Sequence, residues 1–339
     1  MNNMKAREGD LIETKDNIVF DVKGLVHPPD RVVAFIRYVP DLDGERKRDG
    51  KRFTKFYALA KRYELLKREY PQYLVNDPVF NTLLCEVPTQ DIKTHYQPTK
   101  GVRKLLNKKN LDEAEQAALN FMKILKKESG VQWNKLGVSG SILANLQEPA
   151  SDIDLVVYGT KTGYQVAETM KKLLEDKNSP IEAYDTQGLK ELYDFRSKDT
   201  NVTFKDFART DSRKISHGKF MNKHFFIRFV KDLNEINEKY GDKTYQPEGY
   251  AKIKATVTNS SEALFTPCNY EISDVQIIEG PKIEHLKEVS SFRGRFCEHA
   301  INQEKIIAQG KLERVQEKGK PDYNRVLLGS KPSDYMILV

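Results

Sequence analysis

Two acids one residue apart inside an apolar run are the first feature of this chain able to do chemistry. In "KLGVSGSILANLQEPASDIDLVVYG", residues 135–159, Asp152 and Asp154 flank Ile153 and lead into Leu-Val-Val-Tyr. Strand side chains alternate between faces, so the two carboxylates share one side while Ile153 and Leu155 take the other. Carboxylates held that close repel and raise each other's pKa unless a cation sits between them, which makes the pair expensive alone and natural with Mg²⁺. Upstream, Gly140-Ser141 sits where a short strand can turn into a helix, and free N–H groups beside a residue without a side chain suit phosphate oxygens. The remaining reactive types offer less. His27, His95, His217, His224, His285 and His299 show no ligand spacing, and Cys85, Cys268 and Cys297 fit reduced buried thiols better than a disulfide framework or a zinc site.

The elements that must position these residues follow from periodicity. "KLGVS" and "SDIDLVVYG" are apolar, strand-forming runs, and "GSILANL" between them can start a helix. Ahead of them, "NLDEAEQAALNFMKILKKESG" is a helix with Asn110 as N-cap, acids in its first turn, lysines in its last and Gly130 after it. From Gly9 to Pro40 the text alternates polar residues with Ile, Val and Phe, cut by Gly24 and Pro28-Pro29, as a small set of strands does. "DGERKRDGKR" is a charged turn or hairpin tip, and "FYALAKRYELLKREYPQYL" carries helical spacing that stops at Pro71.

Gly140-Ser141 followed by Asp152-Ile153-Asp154 resembles the signature of the DNA-polymerase-β-like nucleotidyltransferase superfamily. The whole chain, including "FDVKGLVHPP" and "ALFTPCNYEI", also looks like a family of archaeal predicted nucleotidyltransferases. The resemblance implies that Gly140 and Ser141 hold a nucleoside triphosphate, ATP among them, and that Asp152 and Asp154 bind Mg²⁺ or Mn²⁺. It also implies a third acid on a nearby strand. The downstream strand "KHFFIRFVKD", Lys223–Asp232, has Arg228 at its centre where that acid is expected, so Asp232 at its end ranks first, ahead of Glu182 and Asp185. Arg228 has its own possible use as a guanidinium that neutralises phosphate. Two basic stretches stay open between function and solvent: "ERKRDGKR" as a nucleic-acid contact or a solvated loop, and "RTDSRKISHGKF", residues 209–220, as a channel lining or a mobile loop.

Beyond Tyr250, short alternating runs recur with Gly, Pro or Asn between them, the pattern of a small antiparallel β-barrel of OB-like kind. "SSFRGRF" sets Phe292 and Phe296 on one strand face and Arg293 and Arg295 on the other. This is either a core face backed by a charged surface or a site where bases stack and phosphates are held. With 339 residues, net charge +7 and 31% charged residues, the chain is long and polar enough for several foldable domains. No run approaches the ~20 apolar residues of a membrane span and the N-terminus has no apolar signal core, so a cytoplasmic, non-membrane protein is expected. The expected class is α+β: an N-terminal α+β segment over 1–104, a polymerase-β-like nucleotidyltransferase core with a mixed sheet and helices over 105–240, and the barrel over 241–339. The expected activity is metal-dependent transfer of a nucleoside monophosphate from an NTP to an acceptor hydroxyl with release of pyrophosphate. A nucleic-acid end is the first acceptor, RNA ahead of DNA. The alternatives are nucleotidylation of a small molecule or protein, and a non-catalytic nucleic-acid-binding protein on a degenerate core.

Overall fold

A computed structural model describes residues 4–197 and 201–339. It is a mixed α+β structure with three sheets, and its residues group into two compact units. The first is built from 1–76, 83–183 and 215–237, the second from 77–82, 184–214 and 238–339.

The N-terminal sheet uses β1 (Leu11–Thr14), β2 (Val19–Val22), β3 (Arg31–Pro40), β4 (Arg46–Arg48), β5 (Lys51–Lys55), β6 (Leu74–Asp77), β7 (Thr82–Pro88) and β8 (Ile92–Tyr96). Its main path runs β4-β5-β3-β2-β1-β8, with β7 on the free part of β3 and β6 on β7. Helix α1 (Leu59–Glu69) covers it through Leu65 and Leu66, and Pro71 ends the helical run as expected. The charged "ERKRDGKR" is the β4–β5 hairpin. Asp49 and Gly50 take left-handed φ values of 49° and 74° at its tip, as a tight hairpin turn requires.

Next come α2 (Pro98–Asn107), α3 (Glu113–Ser129), β9 (Leu136–Val138), α4 (Gly140–Leu143), β10 (Ile153–Tyr158), α5 (Thr160–Glu175), β11 (Ile181–Glu182), β12 (His217–Phe220) and β13 (Lys223–Val230). The strands form a mixed sheet in the order β11-β12-β13-β10-β9, with β10 and β13 parallel. The α3 N-cap is Asp112, not Asn110: Asp112 and Glu115 close a capping box, and Gly130 ends the helix at φ 72°. Both caps satisfy the local pattern, and burying Ala114, Ala117, Ala118, Phe121, Met122 and Leu125 on one face fixes the register. Phe121 then packs on Phe220 and Phe225 at ring distances of 5.0 and 4.8 Å.

In the second unit, α6 (Thr186–Arg196) and α7 (Phe204–Asp211) share a small core of Tyr184, Leu189 and Phe207. The strands are β14 (Lys243–Asn259), β15 (Cys268–Glu279), β16 (Leu286–Ser291), β17 (Lys305–Glu317), β18 (Tyr323–Leu328) and β19 (Tyr335–Leu338). Their order is β14-β15-β16-β18-β17-β19, and a β14–β17 pairing closes the path on itself. The period-two pattern expected for this region is visible in β14, where Ala251, Ile253, Ala255 and Val257 all enter the core. One pairing departs from an all-antiparallel expectation: β16 and β18 run parallel, because the chain crosses over between them through β17.

Candidate functional site: paired carboxylates under a cationic hairpin

Strand β10 positions the carboxylate pair. Asp152 is exposed just before the strand and Asp154 is half-buried within it. Gly140 stands directly against Asp154: a Cβ at Gly140 would lie 2.8 Å from the Asp154 carboxyl carbon and closer still to Oδ2, and Gly140 has φ +60°. Only glycine fits there on both counts, steric room and left-handed backbone. The backbone ties the same corner together, with Ser139 N–H donating to the Asp154 carbonyl at 2.8 Å and Ser139 Oγ to the Gly9 carbonyl at 2.6 Å. Ser141, beside Gly140 in the first turn of α4, is buried.

Burial first, and the Asp152 charge second, push the Asp154 carboxyl above the ordinary carboxylate range, while Lys55, Arg37 and Arg228 pull against them. Of these cations, Lys55 and Arg37 come from β5 and β3 of the N-terminal sheet. Burial and the neighbouring Arg37 and Arg46 bring the Lys55 ammonium down to about 8, with Asp154 and Asp152 opposing. Arg46 in β4 donates to the Leu146 carbonyl at 3.2 Å and to Ser151 Oγ at 3.0 Å. Arg48 donates to the Ala144 carbonyl at 2.9 Å and pairs with Glu13 at 2.7 Å. The hairpin that reads as a solvated tip is thus folded back onto the loop between Gly140 and Asp152. Tyr38, Phe53, Leu11 and Val19 of the sheet pack with Leu143, Ala144 and Leu146 beneath it.

The structure separates other expected site residues from this corner. In the parallel register Asp154 stands opposite Phe226, and Asp232 follows six residues later, roughly 20 Å on at ~3.3 Å per residue. Asp232 is instead held by Lys135 and by Arg7 at 3.3 Å, and caps a 3-10 turn at Leu233–Glu235. It does not join the pair. Glu182 is exposed on β11 opposite Lys219, and Asp185 caps α6 by accepting from Gly188 N–H at 2.7 Å. Arg228 shares the sheet face of Asp154 and reaches its charge, but its guanidinium is ion-paired to buried Glu8. Glu8 also accepts from Lys23 at 2.9 Å, and Lys23 pairs with Asp21 at 2.9 Å. Although burial pushes Asp21 upward, Lys23, Arg228 and Arg37 bring it down to about 2. Among the described residues no group of three or more His, Cys, Asp or Glu side chains is placed to hold a metal ion.

Arg293 and Arg295 are not on a strand. β16 ends at Ser291, and Gly294–Phe296 is a 3-10 turn with Arg293 at its N-cap and Phe296 buried. The glycine in the run breaks the alternation, so aromatic and arginine residues do not form two faces. In "RTDSRKISHGKF", Arg209 donates to the Leu338 and Val339 carbonyls, Arg213 pairs with Glu304 at 2.6 Å, and Lys214 donates to the Arg295 carbonyl at 2.7 Å. These basic groups are structural links within the second unit.

The architecture is that of an α+β protein with two acids at the start of β10, Asp152 just before the strand and Asp154 within it, that feel the charge of Lys55 from a neighbouring sheet. The chain belongs to the same family as the protein described as "Uncharacterized protein MJ1086" of Methanocaldococcus jannaschii, to which it is 33% identical over 335 residues, 96% of each chain. No family model matches the chain, and no solved structure matches it. Among the described residues no helix is long and apolar enough to cross a membrane.

Proposed function

We propose that the chain is a divalent-metal-dependent nucleotidyltransferase whose reaction centre is the corner of Asp152, Asp154, Gly140 and Ser141. The observation that carries this reading is the contact between Gly140 and Asp154, which sets the Gly-Ser turn at the start of α4 directly against one carboxylate of a repelling pair. Two carboxylates fit Mg²⁺ or Mn²⁺ in the manner of sites where substrate phosphates and water supply the other ligands. Asp152 and Asp154 would hold the metal, whose charge would offset that of the polyphosphate. The turn at Gly140 and Ser141 orients the phosphates. In the net reaction an acceptor hydroxyl oxygen bonds to the α-phosphorus, the bond to the departing pyrophosphate breaks, and the hydroxyl proton passes to solvent. A nucleic-acid end, RNA ahead of DNA, is the preferred acceptor. Support comes from the net charge of +7 and from the second unit, whose closed, non-sequential strand order resembles an OB-like barrel.

A second reading is favoured by one observation: no third acid joins the pair among the described residues. On that reading the corner binds nucleotide without transferring it. Incubation with each labelled NTP, Mg²⁺ or Mn²⁺, and pooled RNA, DNA, protein and small-molecule acceptors separates the two. The expected result is label on an acceptor, lost in Asp152→Asn and in Asp154→Asn with the melting temperature held or slightly raised. Near-wild-type transfer by either variant refutes the assignment.

A further inference from the structure

The N-terminal sheet carries more positive charge toward the carboxylate pair than its own acids neutralise. Within it Glu13 answers Arg48, and Glu8 and Asp21 answer Lys23. Lys55 and Arg37 have no such partner. Among the described residues neither forms an ion pair; the Lys55 ammonium makes no hydrogen bond and lies 4.5 Å from the Tyr57 ring centre, and Arg37 donates to the Phe56 carbonyl at 3.4 Å. Both are half-buried, and they meet at the Tyr57 ring, with the Lys55 ammonium 4.5 Å and the Arg37 guanidinium 4.9 Å from its centre. The Tyr38 hydroxyl is fully buried, has no hydrogen-bond partner, and feels the charges of Arg37 and Asp154. A buried hydroxyl without a partner and two partly desolvated cations that touch no carboxylate, and are answered only at a distance by Asp152, Asp154 and Asp21, are costly as they stand. All three are satisfied by the same kind of ligand, an extended anion rich in oxygen acceptors.

We propose that Lys55, Arg37 and the Tyr38 hydroxyl form a polyphosphate subsite, contributed by the N-terminal sheet, that takes the distal phosphates of a nucleoside triphosphate. The proposal rests on the reading that Asp152 and Asp154 face the reacting end. It adds that the grip on the leaving group comes from outside the strand-turn-helix segment that carries them. The guanidinium offers a planar fork of donors and the ammonium a compact charge, so a chain of phosphates spans both where a monophosphate reaches one. Burial first, and then Arg37 and Arg46, hold the Lys55 ammonium at a reduced proton affinity, which an anion bound beside it would relieve.

The test is calorimetric titration of inorganic tripolyphosphate into the full-length protein in metal-free, EDTA-containing buffer. Lys55→Met keeps the aliphatic stem against Tyr57 and removes the charge; Arg37→Lys keeps a charge and removes the fork. Each is expected to weaken tripolyphosphate about tenfold or more with the melting temperature unchanged, Lys55→Arg to retain binding, and monophosphate to bind far more weakly than tripolyphosphate throughout. Asp152→Asn and Asp154→Asn should bind tripolyphosphate at least as tightly as wild type, because each removes a repelling charge. Wild-type affinity in folded Lys55→Met and Arg37→Lys, or no binding by the wild type, overturns the subsite. If binding depends on Lys55 and Arg37 while the Asp variants still transfer label, the subsite stands and the carboxylate reading falls. The converse pattern does the reverse.

Discussion

Replacing Gly140 by alanine tests the corner at its tightest point. Gly140 has φ +60°, where an L side chain costs about 1–2 kcal/mol. The new Cβ would also stand 2.8 Å from the Asp154 carboxyl carbon and nearer its Oδ2, an overlap that must be relieved by shifting backbone or strand. Overpacking of this kind costs about 1–3 kcal/mol, so the total is about 2–5 kcal/mol. At roughly 2–4 °C per kcal/mol for a unit of this size, melting should fall by about 4–20 °C. The two terms can be separated. Asp154→Ala removes the carboxyl carbon and oxygens and leaves a Cβ 3.1 Å from the new one, so it relieves most of the overlap but none of the φ cost. In a urea-unfolding cycle, Gly140→Ala should therefore cost about 1–3 kcal/mol less in the Asp154→Ala background than in wild type. Additivity within ~0.5 kcal/mol would mean that Asp154 does not press on Gly140, and the contact that carries the proposed reaction centre would have to be abandoned.

Two further outcomes follow from groups outside the pair. His27 donates from Nε2 to the Ala6 carbonyl at 3.1 Å and accepts from Val33 N–H at 3.2 Å, and burial holds its pKa down to about 4. The unfolded chain takes up that proton near 6.5, so the stabilisation is complete above 6.5 and lost as pH falls toward 4, up to about 3 kcal/mol. The stability difference between wild type and His27→Gln should shrink over that window in urea titrations, and a constant difference would contradict it. Asp232→Asn should lower melting, since Arg7 and Lys135 lose their shared partner, yet leave NTP transfer intact; loss of transfer at unchanged stability would return Asp232 to the reaction centre.

What local patterns encode was legible in the sequence. The Asp152-Asp154 strand, the α3 helix and all six strands beyond Tyr240 come from periods of two and 3.6 with glycine and proline punctuation, and the structure has elements at each. The misses are of two kinds. At Ser290–Phe296 a short alternation was read through Gly294, where the backbone turns. The others are long-range: Arg228 finds Glu8, 220 residues away, and Arg46 finds Ser151, 105 residues away. Nothing in the spacing of "ERKRDGKR" distinguishes arginines that will clamp a distant loop from those that will face water. Lys55, three residues beyond that run, carried no signal of its own. A cross-strand neighbour such as Tyr38 becomes visible only when β3 and β5 are paired.

The interleaving of the two units has a consequence for synthesis. The first needs β13, the strand that pairs parallel with β10, and so cannot complete its mixed sheet until residues 223–230 have been made. By then the chain has already produced α6 and α7, which belong to the other unit and whose strand partner β19 ends at Leu338. After Lys214 the ribosome must add 124 residues to reach Leu338, about 6–25 s of translation at ~5–20 residues per second. For that interval Tyr184, Leu189 and Phe207 have only the helical pair itself to cover them. A nascent chain stalled after β13 would present a completed mixed sheet from which an apolar helical pair loops out between β11 and β12, still waiting for its own strands.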